Sequence, residues 1–177
     1  IKNSKKDSKI IACGDDINIM EVLKESVNKK VLYGFKGNNN KIISDVTYER
    51  ESVYYTLAED NIRLKVIGNH NILNSAAAYL TAKEFGICNE SFNESIKTFT
   101  GVKRRLELKF YNGIKIYDDY AHHPTEVRAT LEAVKKRYSG RVITVFQPHL
   151  YSRTRDFYTE FGKAFEGTDI LFLSKIY

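Results

Sequence analysis

Asp118, Asp119, His122 and His123 fall together in the stretch YDDYAHHPTEV, and His149, Arg153 and Arg155 follow in FQPHLYSRTRDF. Carboxylates beside imidazoles can move protons, orient a nucleophile or hold a metal ion. Guanidinium groups bind small carboxylates and phosphates in a fixed fork. Metal ligation fits poorly, because adjacent histidines tend to point apart and there is no HxxxH or HxH spacing. A Ser–His–Asp triad fits less well, since Ser152 lies outside any nucleophile-elbow motif. What remains is an acid–base and carboxylate-binding site. In it, Asp119 accepts hydrogen bonds from a ribose or orders a cation, Arg153 holds a small carboxylate, and His122 positions or deprotonates an attacking amine. The alternative is that these residues only cap helices and solvate loops.

The elements that must position them read as strands and helices in alternation. LELKFY (106–111) and IKIYDD (114–119) flank Asn112–Gly113, a hairpin signal. Pro124 opens a helix to about Tyr138, with Val127, Leu131, Val134 and Tyr138 as its buried stripe. RVITVFQ (141–147) reads as a strand buried on both faces. A helix from about Thr154 to Phe165 buries Phe157, Phe161 and Phe165, and DILFLS (169–174) is another buried strand. This β-α-β-α-β order predicts parallel strands with right-handed crossovers. The loops at 119–123 and 148–153 then open on one sheet edge, where open α/β sheets bind ligands.

Upstream, KIIAC (9–13) reads as a short buried strand. Asp15 or Asp16 caps a helix to about Asn28 that buries Ile19, Val22, Leu23 and Val27. VLYGF (31–35), KIISDVTYE (41–49), SVYYTLAE (52–59) and IRLKVI (62–67) are β-rich and predict an antiparallel meander. Gly68 precedes a helix with Leu73, Ala76, Ala77 and Leu80 on one face and Gly86 as its stop. Asn71 and Asn74 share a face there. Their carboxamides could read the edge of a base, or Asn71 could simply cap the helix. A short helix at about 90–99 carries Phe92, Ile96 and Phe99. GVKRRLE then marks a domain boundary, where Arg104 and Arg105 either reach a phosphate or form a solvated basic turn.

Composition bounds the rest. The 177 residues are 42% hydrophobic and 28% charged, in the range of globular proteins. No apolar run approaches the roughly 20 residues of a membrane span, and the basic N-terminus (IKNSKKDSK) lacks the apolar region of a signal peptide. The net charge of +6 is dispersed and accompanied by no nucleic-acid-binding motif, which favours small anionic substrates over nucleic acid. Cys13 and Cys88 read as reduced thiols of a cytosolic protein. None of the ten glycines lies in a GxxxxGK[ST] pattern, so no phosphate-binding P-loop is present. The chain starts without Met, which suggests a fragment.

The combination GNHNILNSAAA, GVKRRLE, YDDYAHHPTEV and FQPHLYSRTRDF resembles the Mur ligase family, with CGDD and LFLSKIY also fitting. The resemblance covers nearly the whole chain, and 31–67 is its least diagnostic part. It implies an α/β fragment: residues 1–101 as the second half of a P-loop-type ATPase domain, and 102–177 as the first half of a Rossmann-like C-terminal domain. It also implies an ATP-dependent carbon–nitrogen ligase of the bacterial cytoplasm. FQPHLYSRT points to the members that join L-alanine to UDP-N-acetylmuramate through an acyl phosphate, in peptidoglycan precursor synthesis and hence cell-wall biogenesis, cell shape and cell division. DYAHHPTE is shared with members that recycle a murein tripeptide, and a non-catalytic nucleotide-binding module is a further alternative. Carried over by motif, Asn71 and Asn74 contact adenine, Arg105 the ATP phosphates and Asp119 the ribose side. Tyr120, His122 and Arg153 form the L-alanine pocket, with His122 and Arg105 catalytic. The P-loop, the UDP-binding domain and the Mg2+ ligands would precede Ile1, so the isolated chain is expected to be inactive. Some relatives carry a second arginine where this chain has Leu150; Arg155 is the nearby candidate to replace it. Oligomeric state, and selectivity among alanine, serine and glycine, do not follow from the residues.

Overall fold

The computed structural model describes residues 4–5, 7–49 and 52–177. Of the basic N-terminal residues, Lys2 and Lys6 therefore lie outside it. The chain divides into two compact units, Ile1–Val66 with His70–Phe99, and Ile67–Asn69 with Thr100–Tyr177.

Among the described residues, the first unit is a five-stranded sheet with three helices. Strands β1 (Lys9–Cys13), β2 (Lys29–Gly34), β3 (Lys41–Tyr48), β4 (Val53–Leu57) and β5 (Asp60–Leu64) lie side by side in chain order. The antiparallel meander expected over 31–67 holds only from β3 onward, because β2 pairs with β3 in parallel. That pairing is confined to Tyr33↔Lys41 and Gly34↔Ile42, so the rest of β3 runs on beyond the end of β2. Asp15 causes this. Its carboxylate accepts from the amides of Phe35 (2.7 Å) and Lys36 (3.2 Å) and from Asn39 Nδ2 (2.8 Å), folding residues 35–39 into a compact link. Burial pushes the Asp15 carboxyl upward, but these donors and the Lys36 charge outweigh it and hold it below the usual carboxylate range.

Asp16, not Asp15, caps α1 (Ile17–Leu23), accepting from Asn18 N and Ile19 N. The helix is shorter than its apolar spacing suggested and buries only Leu23; Val22 is 58% and Val27 88% exposed. Asn28 explains the early stop. It is buried, and its Nδ2 donates to the carbonyls of Lys5 and Ser8, which pulls the chain out of helical register. Alternate residues of β4 and β5 (Val53, Tyr55, Leu57, Ile62, Leu64) form the core together with Ile72, Ala76, Tyr79 and Leu80 of α2 (Asn69–Glu84). The buried face of α2 keeps Ala76 and Leu80 of the expected Leu73, Ala76, Ala77 and Leu80 face but turns toward Ile72, Tyr79 and Ser75, whose hydroxyl meets Tyr55 Oη at 2.7 Å. Tyr79 joins Asp60 and Asn89 in a polar cluster where α3 (Asn89–Ile96) begins. No residue of α3 is buried, so its predicted apolar stripe is only partly covered.

In the second unit, β6 (Glu107–Tyr111) and β7 (Ile114–Asp118) form the expected hairpin. Asn112 and Gly113 both take positive φ (44° and 80°), the conformation a two-residue hairpin turn demands. Helix α4 (Pro124–Arg137) leads to β8 (Ile143–Phe146), and β9 (Ile170–Leu173) pairs with β8 in parallel. The predicted helix at 154–165 starts earlier and is broken at Phe157 into α5 (Tyr151–Asp156) and α6 (Tyr158–Ala164). Val127, Leu131, Phe146, Phe161 and Ala164 make the core. Among the described residues β7 is hydrogen-bonded only to β6, so the parallel arrangement expected of three strands holds for β8 and β9. Nor is β8 buried on both faces. Its core lies on the helix side, and Ile143 and Val145 are 51% and 77% exposed.

Candidate active site

The site is built in the second unit around the loop that leaves β7. Asp119 holds that loop from within. Its Oδ1 accepts from Ala121 N (2.7 Å), and its Oδ2 accepts from Leu106 N (2.8 Å) and Thr130 Oγ1 (3.2 Å). One carboxylate thus ties together the turn before β6, the loop after β7 and helix α4. Three of its roughly four acceptor positions are already filled by the protein.

His123 and Glu126 organise the start of α4. His123 is the N-cap, with Nδ1 accepting from Thr125 N at 3.4 Å, and Pro124 takes the first helical position. Glu126 completes a capping box by reaching back to His123 N (3.2 Å) and His122 N (3.0 Å). Its other oxygen faces Arg105 Nη1 at 3.6 Å. Burial raises the Glu126 carboxyl, but the two amides and the charges of His122 and Arg105 outweigh it, so the group is held below the usual glutamate range. Glu126 was not among the predicted site residues. The signal for it was present as His-Pro-Thr-Glu, a capping box with histidine in place of serine or threonine.

His122 has a defined tautomer. Its Nδ1 lies 2.8 Å from the carbonyl oxygen of Tyr120, which can only accept, so Nδ1 carries the proton in the neutral ring. The lone pair of the neutral imidazole is then on Nε2. The Tyr120 ring meets the His122 ring edge-on at 5.0 Å, and the Arg104 guanidinium lies 4.7 Å over the Tyr120 ring centre. The two neighbouring arginines at the predicted boundary therefore part company: Arg105 faces Glu126 and Arg104 faces Tyr120.

The second loop follows β8. Tyr177 N donates to Pro148 O (2.9 Å), Leu150 N donates to Tyr177 O (3.2 Å), and the His149 and Tyr177 rings stack at 5.5 Å. Leu150 takes φ 69°, a left-handed conformation rare for leucine, and from it α5 departs. Arg153 lies on α5, and its Nη1 is buried with no hydrogen-bond partner among the described residues. Arg155 Nε is already engaged by Asp156 Oδ1 at 2.8 Å. The two loops meet where the His123 and Phe157 rings touch at 4.8 Å, and Phe157 N donates to Arg153 O.

Asn71 and Asn74 belong to the first unit. Both lie inside the first turns of α2, which begins at Asn69, and Asn74 is exposed. Among the described residues no three His, Cys, Asp or Glu side chains gather to hold a metal ion, and no helix is long and apolar enough to cross a membrane. Cys13 and Cys88 are free.

Chemically, the arrangement offers a proton acceptor at His122 Nε2, an unsatisfied guanidinium for an anion at Arg153, and a half-exposed cation at Arg105. Comparison with known proteins adds to it. The Mur ligase middle domain matches residues 1–82, and the Mur ligase glutamate ligase domain matches residues 104–175. A UDP-N-acetylmuramate–L-alanine ligase of Acetivibrio thermocellus is 38% identical over 176 residues, covering 95% of this chain and 38% of that protein. Among solved structures, the UDP-N-acetylmuramate–alanine ligase of Thermotoga maritima superimposes with a TM-score of 0.74 at 22% identity, over 93% of this chain and 42% of that one. The MurF ligase of Thermotoga maritima in complex with ADP gives 0.80 at 20% identity, over 98% and 41%. The chain thus spans about two fifths of the length of the relatives it matches.

Proposed function

Because this chain belongs to the Mur ligase family, we propose that it forms part of an ATP-dependent ligase that joins L-alanine to UDP-N-acetylmuramate. Residues 1–101 belong to the ATP-binding domain and 102–177 to the acceptor domain. A lactyl carboxylate oxygen attacks the γ-phosphorus of ATP, ADP leaves, and an acyl phosphate forms. The amine of L-alanine then attacks the acyl carbon, the carbon–oxygen bond to phosphate breaks, and the amine proton is given up. Such chemistry needs neutralised phosphoryl charge and an oriented amine.

The side chains fit these needs. Asn71 and Asn74 contact adenine, and Asp119 uses its remaining acceptor position toward the ribose side. Arg105 neutralises phosphate charge. Tyr120, His122 and Arg153 take L-alanine, with His122 Nε2 accepting the amine proton and Arg153 pairing with the carboxylate. The magnesium ion that accompanies ATP is assigned to residues outside this chain, as is the phosphate loop, so the 177-residue chain alone is inactive. The observation that carries the reading is Arg153, whose buried Nη1 lacks an acceptor that an amino-acid carboxylate would supply.

The test is phosphate release by the full-length protein with ATP and UDP-N-acetylmuramate. Stimulation by L-alanine is expected. Stimulation only by a murein tripeptide would transfer the protein to the recycling branch, and none with any acceptor would leave a nucleotide-binding module.

A further inference from the structure

We propose that Arg104 is a positioning residue that sets the acceptor pair Tyr120 and His122, an inference that rests on reading this loop as the amino-acid pocket. Arg104 takes φ 57°, left-handed for a residue with a Cβ. Backbone of this kind persists where its surroundings hold it, and it gathers at functional sites. Here it aims the Arg104 carbonyl at Tyr120 N, which donates to it at 2.8 Å. The Arg104 amide in turn donates to Glu107 Oε2 at 3.0 Å, locking the turn. Its guanidinium covers the Tyr120 ring at 4.7 Å, so backbone and side chain of one residue hold the backbone and ring of the other.

From Tyr120 two contacts lead to His122, the edge-on ring contact and the Nδ1 bond to the Tyr120 carbonyl. The second of these fixes which imidazole nitrogen can accept a proton. A change at Arg104 therefore reaches the nitrogen assigned to take the amine proton without touching substrate. Leu106, also left-handed at φ 47°, anchors the far side of the same turn to Asp119. Arg105 between them is left to face Glu126.

The experiment uses the full-length protein and three variants, R104Q, R104K and R104G. R104Q should raise the KM for L-alanine about two- to fivefold, the worth of one exposed cation–π contact, with the KM for ATP unchanged. R104K should recover most of the difference. R104G accepts the left-handed backbone without strain, so it should match R104Q in kinetics while melting no lower than wild type. An unchanged KM for L-alanine in R104Q overturns the proposal. A raised KM for ATP does so too, by making Arg104 a phosphate ligand. If the wild type shows no amino-acid-stimulated phosphate release, the pocket reading fails, and nitrogen NMR of the His122 ring then decides the positioning role alone. Loss of the Nδ1-protonated preference in R104Q supports it, and an unchanged ring spectrum refutes it.

Discussion

Replacing Asp119 by asparagine probes the tie on which the site hangs. The carboxylate accepts from Leu106 N and Thr130 Oγ1 on one oxygen and from Ala121 N on the other. A carboxamide has one oxygen, and that oxygen serves best where two donors converge, beside Leu106 and Thr130. The NH2 group must then face Ala121 N, donor against donor. The loss is one charge-assisted hydrogen bond and an orphaned amide, together about 2–4 kcal/mol. Thr130→Val removes only the hydroxyl contact and should cost about 1 kcal/mol. Urea unfolding of the 177-residue chain measures the total, and amide hydrogen exchange locates it. In D119N the Ala121 amide should exchange roughly 30- to 1000-fold faster, the same free energy expressed as a rate, while amides of β4 and β5 in the other unit keep their protection. An Ala121 amide within about threefold of wild type would mean that the Asp119 carboxylate does not hold this loop.

Other perturbations follow from single contacts. E126Q should lower stability at neutral pH by about 1 kcal/mol, screened because the side chain is 35% exposed. Since the folded carboxyl titrates below its ordinary value of 4.5, the wild-type advantage is full above that value and closes as pH falls through the folded one. A gap that widens on acidification would contradict this sign. Gly34→Ala would bring a Cβ within 2.4–2.6 Å of the Asp15 carboxylate, which three donors already hold in place. Urea unfolding should show a loss of about 1–3 kcal/mol, and a loss below about 0.5 kcal/mol would mean the link at 35–39 yields easily. In the full-length protein, R153A should raise the KM for L-alanine about 10- to 100-fold, the worth of a charge-assisted pair, and leave that for ATP nearly unchanged. Equal effects on both would remove Arg153 from the pocket.

Much of this was legible before the fold was known. Asn112–Gly113, Pro124 and the stripe of Val127 and Leu131 specify local geometry through φ and period alone, and the structure follows them. What escaped were effects of tertiary contact. Asp15 and Asp16 are indistinguishable as caps until Phe35 and Asn39 arrive to claim one of them. The parallel step from β2 to β3 depends on that same bond. Asn28 looks like a polar residue at the end of a helix, yet its buried amide ends the helix early by binding two distant carbonyls. At the site, the residue types of His122 and Arg153 suggested their chemistry. The tautomer of one and the unsatisfied nitrogen of the other depend on a carbonyl and on packing that no spacing encodes. Glu126 was readable in principle, as the fourth residue of His-Pro-Thr-Glu.

Amide formation through an acyl phosphate, as proposed for the full-length protein, would leave an isotopic trace in the released phosphate. UDP-N-acetylmuramate labelled with 18O in its lactyl carboxylate is turned over by the full-length protein with ATP and L-alanine. Attack of that carboxylate on ATP, followed by loss of phosphate to the amine, carries one labelled oxygen into inorganic phosphate. Mass spectrometry should therefore find 18O-labelled phosphate in step with the L-alanine amide. Unlabelled phosphate would exclude an acyl phosphate, and labelled phosphate with no amide would exclude transfer to L-alanine.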